Sequence, residues 1–341
     1  MATEKSSARV PLWPMWVLGF VVLMDNVDQS VVRGMVAPLE HAFHVGDFAM
    51  GVLGSAFVLV NGLVTMPAGY LGDRLNRTRL VGRTMAAWSV LSALGGAAPT
   101  FGILVAVRGL LGFGQGISDP AAASLVADYY QLEKRGTAFS VQYCMTFVGF
   151  GLGVAAGALV SGQATSDHWR YAFVLSALPG LLVAFFVYRL FEPRRGVADR
   201  AHAGIVDDAG APVEQPRLFD DGVGMFLLDM WKGLVADVRT ILRIPTMRYA
   251  LVGVSLLLFT ITAGSYWLDT FYQRQFHTSP AEASTLFVIL AVVGGVSGVL
   301  VGGQVADRFA HRVRGARVAI PGFCFGLCCT LFLISYLWVP L

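Results

Sequence analysis

An all-α integral membrane fold is predicted by three features of this 341-residue chain. Only 14% of its residues are charged and 55% are hydrophobic, whereas soluble domains carry roughly 25% charged residues. The apolar runs are long enough to cross a bilayer, which takes ~20 residues at ~1.5 Å each for ~30 Å of hydrocarbon. They are also continuous rather than alternating. Since only helices or closed barrels satisfy their own backbone groups in lipid, helices are the reading.

Nine candidate spans follow in order, at about 12–38, 48–72, 80–98, 101–128, 138–162, 171–191, 247–271, 282–304 and 318–339. The first begins near Leu12. It is too long for a signal-peptide core and lacks a clear small-x-small cleavage site, so it is expected to be retained. Residues 1–191 thus form a six-span unit, 192–246 a polar linker and 247–341 a unit with spans seven to nine. Within the linker, Leu227, Met230, Trp231, Leu234, Val238 and Ile241 recur at helical spacing between Met225 and Leu242. This predicts an amphipathic helix, lying on the membrane surface or packed on cytosolic loops.

Basic residues orient the spans. Lys5, Arg9, Arg74, Arg77, Arg79, Arg83, Lys134, Arg135, the linker arginines, Arg308, Arg312, Arg314 and Arg317 share one side, against Arg170 and Arg274 on the other. The positive-inside rule then places the amino terminus in the cytosol of a multi-pass plasma-membrane protein. The net charge of +3 calls for no nucleic-acid partner. Cys144, Cys324, Cys328 and Cys329 all lie in apolar runs without nearby His or carboxylates, so buried thiols are expected and no metal site.

An internal repeat divides the chain. Gly69-Tyr-Leu-Gly-Asp73-Arg74 closes the second span, and Gly303-Gln-Val-Ala-Asp307-Arg308 closes the eighth. Two copies six spans apart indicate duplicated halves. The glycine permits close helix approach, and the aspartate can face the positive end of a neighbouring helix. A plain cytosolic turn is the simpler alternative.

The stretch from Gly69 through Asp73, Arg74 and Arg77 to Arg79 resembles the loop signature between spans two and three of the major facilitator superfamily. The resemblance implies two pseudo-symmetric six-helix bundles around a central cavity, with access alternating between the two faces. It implies a gating role for Gly69, Asp73, Arg74 and Arg77, for Asp128 as a brace of that loop, and for Gly303, Asp307 and Arg308 in the second copy. The family has twelve spans and this chain nine, so a truncated or incomplete gene product is expected. Two glycine ladders, Gly149/Gly153/Gly157 in the fifth span and Gly294/Gly298/Gly302 in the eighth, offer tight helix contact. The resemblance implies that these spans pass beside each other across the bundle interface; packing inside one bundle is the alternative.

Ionisable residues at membrane depth are costly and default to functional candidates. The first span carries Asp25, Asp28, Gln29 and Arg33, and the fourth Arg108, Gln115 and Asp119 on one face. Counting from the span ends puts Asp28 and Arg108 at similar depth, so they can pair. An acid that alternates between paired and unpaired states can couple protons to a conformational change, with Asp28 the first choice for that role and Arg108 for holding an anionic group; a static pair fixing helix register is the alternative. Asp28 followed by Val32 and Gly34, and the run from Arg108 to Gln115 followed by Ala127-Asp128 and Lys134-Arg135-Gly136, are similar to the Spinster-like subfamily, whose members move lysophospholipids and related amphiphiles. Gln29 and Gln115 depart from it, standing where that subfamily usually has Arg and Glu, and Arg33 offers a replacement cation. In the seventh span Thr260, Thr262, Ser265, Tyr266 and Trp267 either line the cavity or bond their own helix. Trp169 and Arg170 read as an interfacial anchor.

No span holds a histidine, and the chain has neither a Gly-x-Ser-x-Gly elbow nor a phosphate-binding loop. The expectation is therefore not an enzyme. It is a cofactor-free, monomeric secondary transporter of a small organic or amphiphilic solute, with protons as a candidate partner. A multidrug–proton antiporter and a non-transporting receptor or scaffold are the alternatives.

Overall fold

The computed structural model describes residues 12–72, 74–161, 167–196, 199–200, 223–310 and 316–338. Lys5, Arg9, Asp73, Arg312 and Arg314 lie outside them, and the side chain of Asp307 is not described. Every predicted span falls on helix. The first is α1 (Trp13–Val31), a 3₁₀ turn (Arg33–Met35) and α2 (Val36–Phe43); then come α3 (Asp47–Gly72), α4 (Arg77–Gly96), α5 (Phe101–Tyr129), α6 (Leu132–Ser161) and α7 (Trp169–Tyr188). The linker helix is α8 (Val223–Arg243), followed by the seventh span α9 (Pro245–Phe276). The eighth is α10 (Pro280–Val288), a π turn (Ile289–Gly294) and α11 (Gly295–Ala310); the ninth is α12 (Ala316–Trp338).

Among the described residues, seven helical segments are long and apolar enough to cross a membrane. The third span, α4, is not one of them, because Arg77, Arg79 and Arg83 crowd its first two turns. The ninth is apolar enough only over Ala319–Ile334. Both are nonetheless helical throughout, α4 packing against α5 and α7. The chain is an all-α membrane protein.

Glycine backbones set the closest contacts. The fifth-span ladder Gly149, Gly153 and Gly157 lies on the first span, where a Cβ at each would meet the carbonyl oxygen of Leu23, Val27 and Val31 respectively. Gly34 backs onto the Val154 carbonyl in return. The fifth-span ladder itself therefore packs within its own bundle, the alternative reading. The fifth and eighth spans do pass beside each other, through Val292 on Gly151 and Phe147 on Gly295, at the π turn. Gly294, Gly298 and Gly302 meet nothing within 4 Å. Glycine spacing marked a tight contact without naming its partner.

Two smaller expectations also change. Trp169 is fully buried rather than interfacial, stacked under Arg170, which donates to the carbonyls of Gly96 and Ala98. Arg170 thereby fastens the turn between α4 and α5. Cys324, Cys328 and Cys329 are exposed on α12, and Cys144 is half-buried. The linker helix α8 exposes Trp231, Val235 and Ile241 while Gly233 nears Tyr70 of α3.

Candidate functional site

The polar residues of α1 and α5 meet as a ladder. Arg108 donates to Asp28 twice, from Nη1 to Oδ2 at 3.1 Å and from Nη2 to the backbone carbonyl at 3.0 Å. Ser92 of α4 donates to the other carboxylate oxygen, and the pair is almost wholly buried. The next rung is Gln29 Nε2 to Gln115 Oε1 at 3.3 Å. The last brings the carboxyl groups of Asp25 and Asp119 together, with Asn61 of α3 also on Asp119. Two carboxyl groups held side by side share one proton more readily than they carry two charges. By surface area Asp25 is buried and Asp119 is not.

Arg33 stands apart. The first span changes from α to 3₁₀ geometry at this residue, beside Gly34, which lies against the fifth span's backbone. The turned guanidinium donates to Ser265 of α9 at 3.0 Å and lies 5.0 Å from the centre of the Phe150 ring. It makes no ion pair among the described residues.

A cavity of about 670 Å³ opens beside the ladder, between the first, second, fourth and seventh spans. Gln29, Arg33 and Arg108 reach it, as do Thr262, Tyr266 and Trp267, whereas Asp25, Asp28, Gln115 and Asp119 do not. Its remaining wall is mainly apolar, including Leu53, Phe57, Val58, Leu258 and Phe259. Thr260 turns back to the Leu256 carbonyl instead.

The two ends of the molecule differ. At the Asp47 end, Arg274 of α9 pairs with Asp47 at 2.7 Å and Glu40 at 3.3 Å. Deeper in, Tyr266 covers Gly54 and donates to the Met50 carbonyl at 2.6 Å. These contacts tie α9 to α2 and α3. At the Arg74 end, Gly69 and Gly303 meet nothing within 4 Å, so the close helix approach expected at these glycines is absent from this conformation. Arg74 stacks on Tyr70 at 4.2 Å, and Arg308 belongs to the last turn of α11.

Arg77 is the buried member of the loop signature. It contacts Asp128 at 2.5 Å, Glu192 at 2.8 Å, the Pro193 carbonyl at 2.9 Å and Ser124 at 2.7 Å. Asp128 also accepts from the Gly196 backbone at 2.8 Å. Glu192, the first residue of the polar linker, was not singled out from the sequence. Its place directly after the sixth span was the signal, since an acid there sits level with the basic loop.

A family model described as Major Facilitator Superfamily matches residues 18–341. Protein spinster homolog 1 of Homo sapiens is 28% identical over 314 residues, covering 86% of this chain and 54% of the relative. Protein spinster of Drosophila melanogaster is 22% identical over 325 residues, 93% of this chain and 49% of the relative. The chain thus spans about half the length of the curated relatives it matches. Among solved structures, a bacterial homolog to human lysosomal transporter Spinster, inward-facing and unoccupied, aligns with a TM-score of 0.68 at 21% identity, covering 90% of this chain and 64% of that one. The proton:xylose symporter XylE aligns at 0.61 and 18% identity, covering 87% and 69%. These two likenesses show a common fold.

Proposed function

Because the chain belongs to the major facilitator superfamily, we propose that it works as a secondary transporter, moving a small amphiphilic solute by alternating access with protons as the coupling ion. The observation that carries this reading is the cavity between the two sets of spans, apolar on most of its wall and lined with cationic and amide groups at one edge. An apolar cleft with few convergent polar groups suits a ligand with a tail and a head. Likeness to the spinster homologues supports a lipid-like solute over a sugar.

The amino terminus is cytosolic in this reading, the protein a plasma-membrane monomer, and residues 1–191 and 247–341 the two moving units. The Asp47 end then faces outward and is closed by Arg274 and Tyr266, while the Arg74 end is inward and open, as in the inward-facing structural neighbour. Arg77 and Asp128 brace the inner loop of the first bundle. Arg108 and Asp28 satisfy each other and pin α1 to α5. The Asp25–Asp119 rung is the proton carrier, since two carboxyl groups side by side hold one proton more readily than two charges.

Liposomes carrying the protein are expected to take up a fluorescent lysophospholipid saturably, and faster under a proton gradient. Asp119→Asn should leave exchange intact and remove the gradient's stimulation. Saturable uptake that ignores the gradient in the unaltered protein would dismiss proton coupling. Uptake of xylose or cationic drugs in place of the lipid would dismiss the amphiphile.

A further inference from the structure

We infer that the ligand of this cavity carries a net negative charge on its head group and that Arg33 is the residue that holds it. The inference rests on the amphiphile reading above and narrows it to a class of head group. Its basis is a charge count around the cavity wall. Arg33 and Arg108 are the cations that reach it among the described residues, and no carboxylate does. Arg108 is neutralised by Asp28. Among the described residues Arg33 has only the neutral Ser265 hydroxyl and the face of Phe150.

Arg33 is 7% exposed, and its Nε has no hydrogen-bond partner. A buried cation without a counter-charge is costly, and a buried N–H without an acceptor adds to the cost. Asp25, the acid of the inner rung, lies eight residues away, about 12 Å along the helix at 1.5 Å per residue, and pairs with Asp119 instead. An anion entering the cavity supplies both missing partners. A carboxylate or phosphate can accept from Nε and a terminal nitrogen together, the fork geometry peculiar to arginine. The apolar wall from Leu53 to Val58 and at Leu258 and Phe259 takes the chain. Ser265 belongs to the other bundle, so an anion at Arg33 also competes with a contact that joins the two halves.

The test is equilibrium binding to the purified chain in detergent, which needs no transport. Tritiated myristate, myristoyl lysophosphatidate and uncharged monomyristoylglycerol share a tail and differ in head group. Both anions are expected to bind about tenfold or more tighter than the glycerol ester, the scale of a charge-assisted pair. Preference for only one anion would identify the head as carboxylate or phosphate. Arg33→Gln should erase the preference, Arg33→Lys should keep part of it, and Ser265→Ala should not reduce it. Equal binding of charged and neutral probes by the unaltered protein, or a preference that survives Arg33→Gln, would overturn the inference. So would failure to bind any probe, which would also remove the amphiphile reading. Tight anion binding without uptake in liposomes would leave Arg33 in its role and remove transport alone.

Discussion

Arg108→Ala is expected to cost about 3–5 kcal/mol of stability, the penalty for stranding a buried charge, and to abolish uptake. Asp28 would keep only Ser92 as a partner, in a site where it is 1% exposed. The double variant Asp28→Asn/Arg108→Gln removes both charges while leaving hydrogen-bonding groups, and is expected to recover most of the loss. Thermal unfolding in detergent reads the comparison. If the double variant melts as low as the single one, charge pairing is not what holds α1 to α5. If Arg108→Ala melts like the unaltered protein, the rung carries no structural role.

The second large effect is steric. In Gly153→Val the new side chain would run into the Val27 carbonyl, with Ser30 Cβ only 2.8 Å from the added carbon. The first and fifth spans must then separate, because a backbone carbonyl cannot rotate away as a side chain can. Overpacking of this kind costs about 1–3 kcal/mol or more, and the upper end is expected here. Gly298→Val, on the eighth-span ladder, meets open space and is expected to stay within about 0.5 kcal/mol. Similar melting temperatures for the two variants would contradict the assignment of the first–fifth contact.

The contrast between those ladders shows what the sequence could carry. Small residues one turn apart report that some helix comes close, but the partner is a property of the assembled bundle. The Asp28–Arg108 pair was legible because depth along two antiparallel spans can be counted from their ends. The linker helix was legible from its apolar period. The role of Arg274 was not: it read as one of two basic residues on the outer side, and its partners Glu40 and Asp47 lie more than 200 positions away. Arg33 could be flagged as a cation in a span. That it meets Ser265, with no acid among the described residues, follows only from the turn at Gly34 and the approach of the seventh span. Glu192 was hidden by the polar linker it begins.

Polar bonds join the two sets of spans at the Asp47 end, while Gly69 and Gly303 at the Arg74 end have no neighbour within 4 Å. Alternating access requires the two ends to move in opposite senses, and loosening the closed end should reveal it without any ligand. Spin labels at the exposed residues Phe48 and Phe276 report the Asp47 end, and labels at Met66 and Val301 the Arg74 end, with the four cysteines replaced. Removing the closure with Arg274→Ala and Tyr266→Phe is expected to lengthen the first distance and shorten the second. A first distance that grows while the second stays fixed, or two distances that do not change, would contradict a rocking carrier.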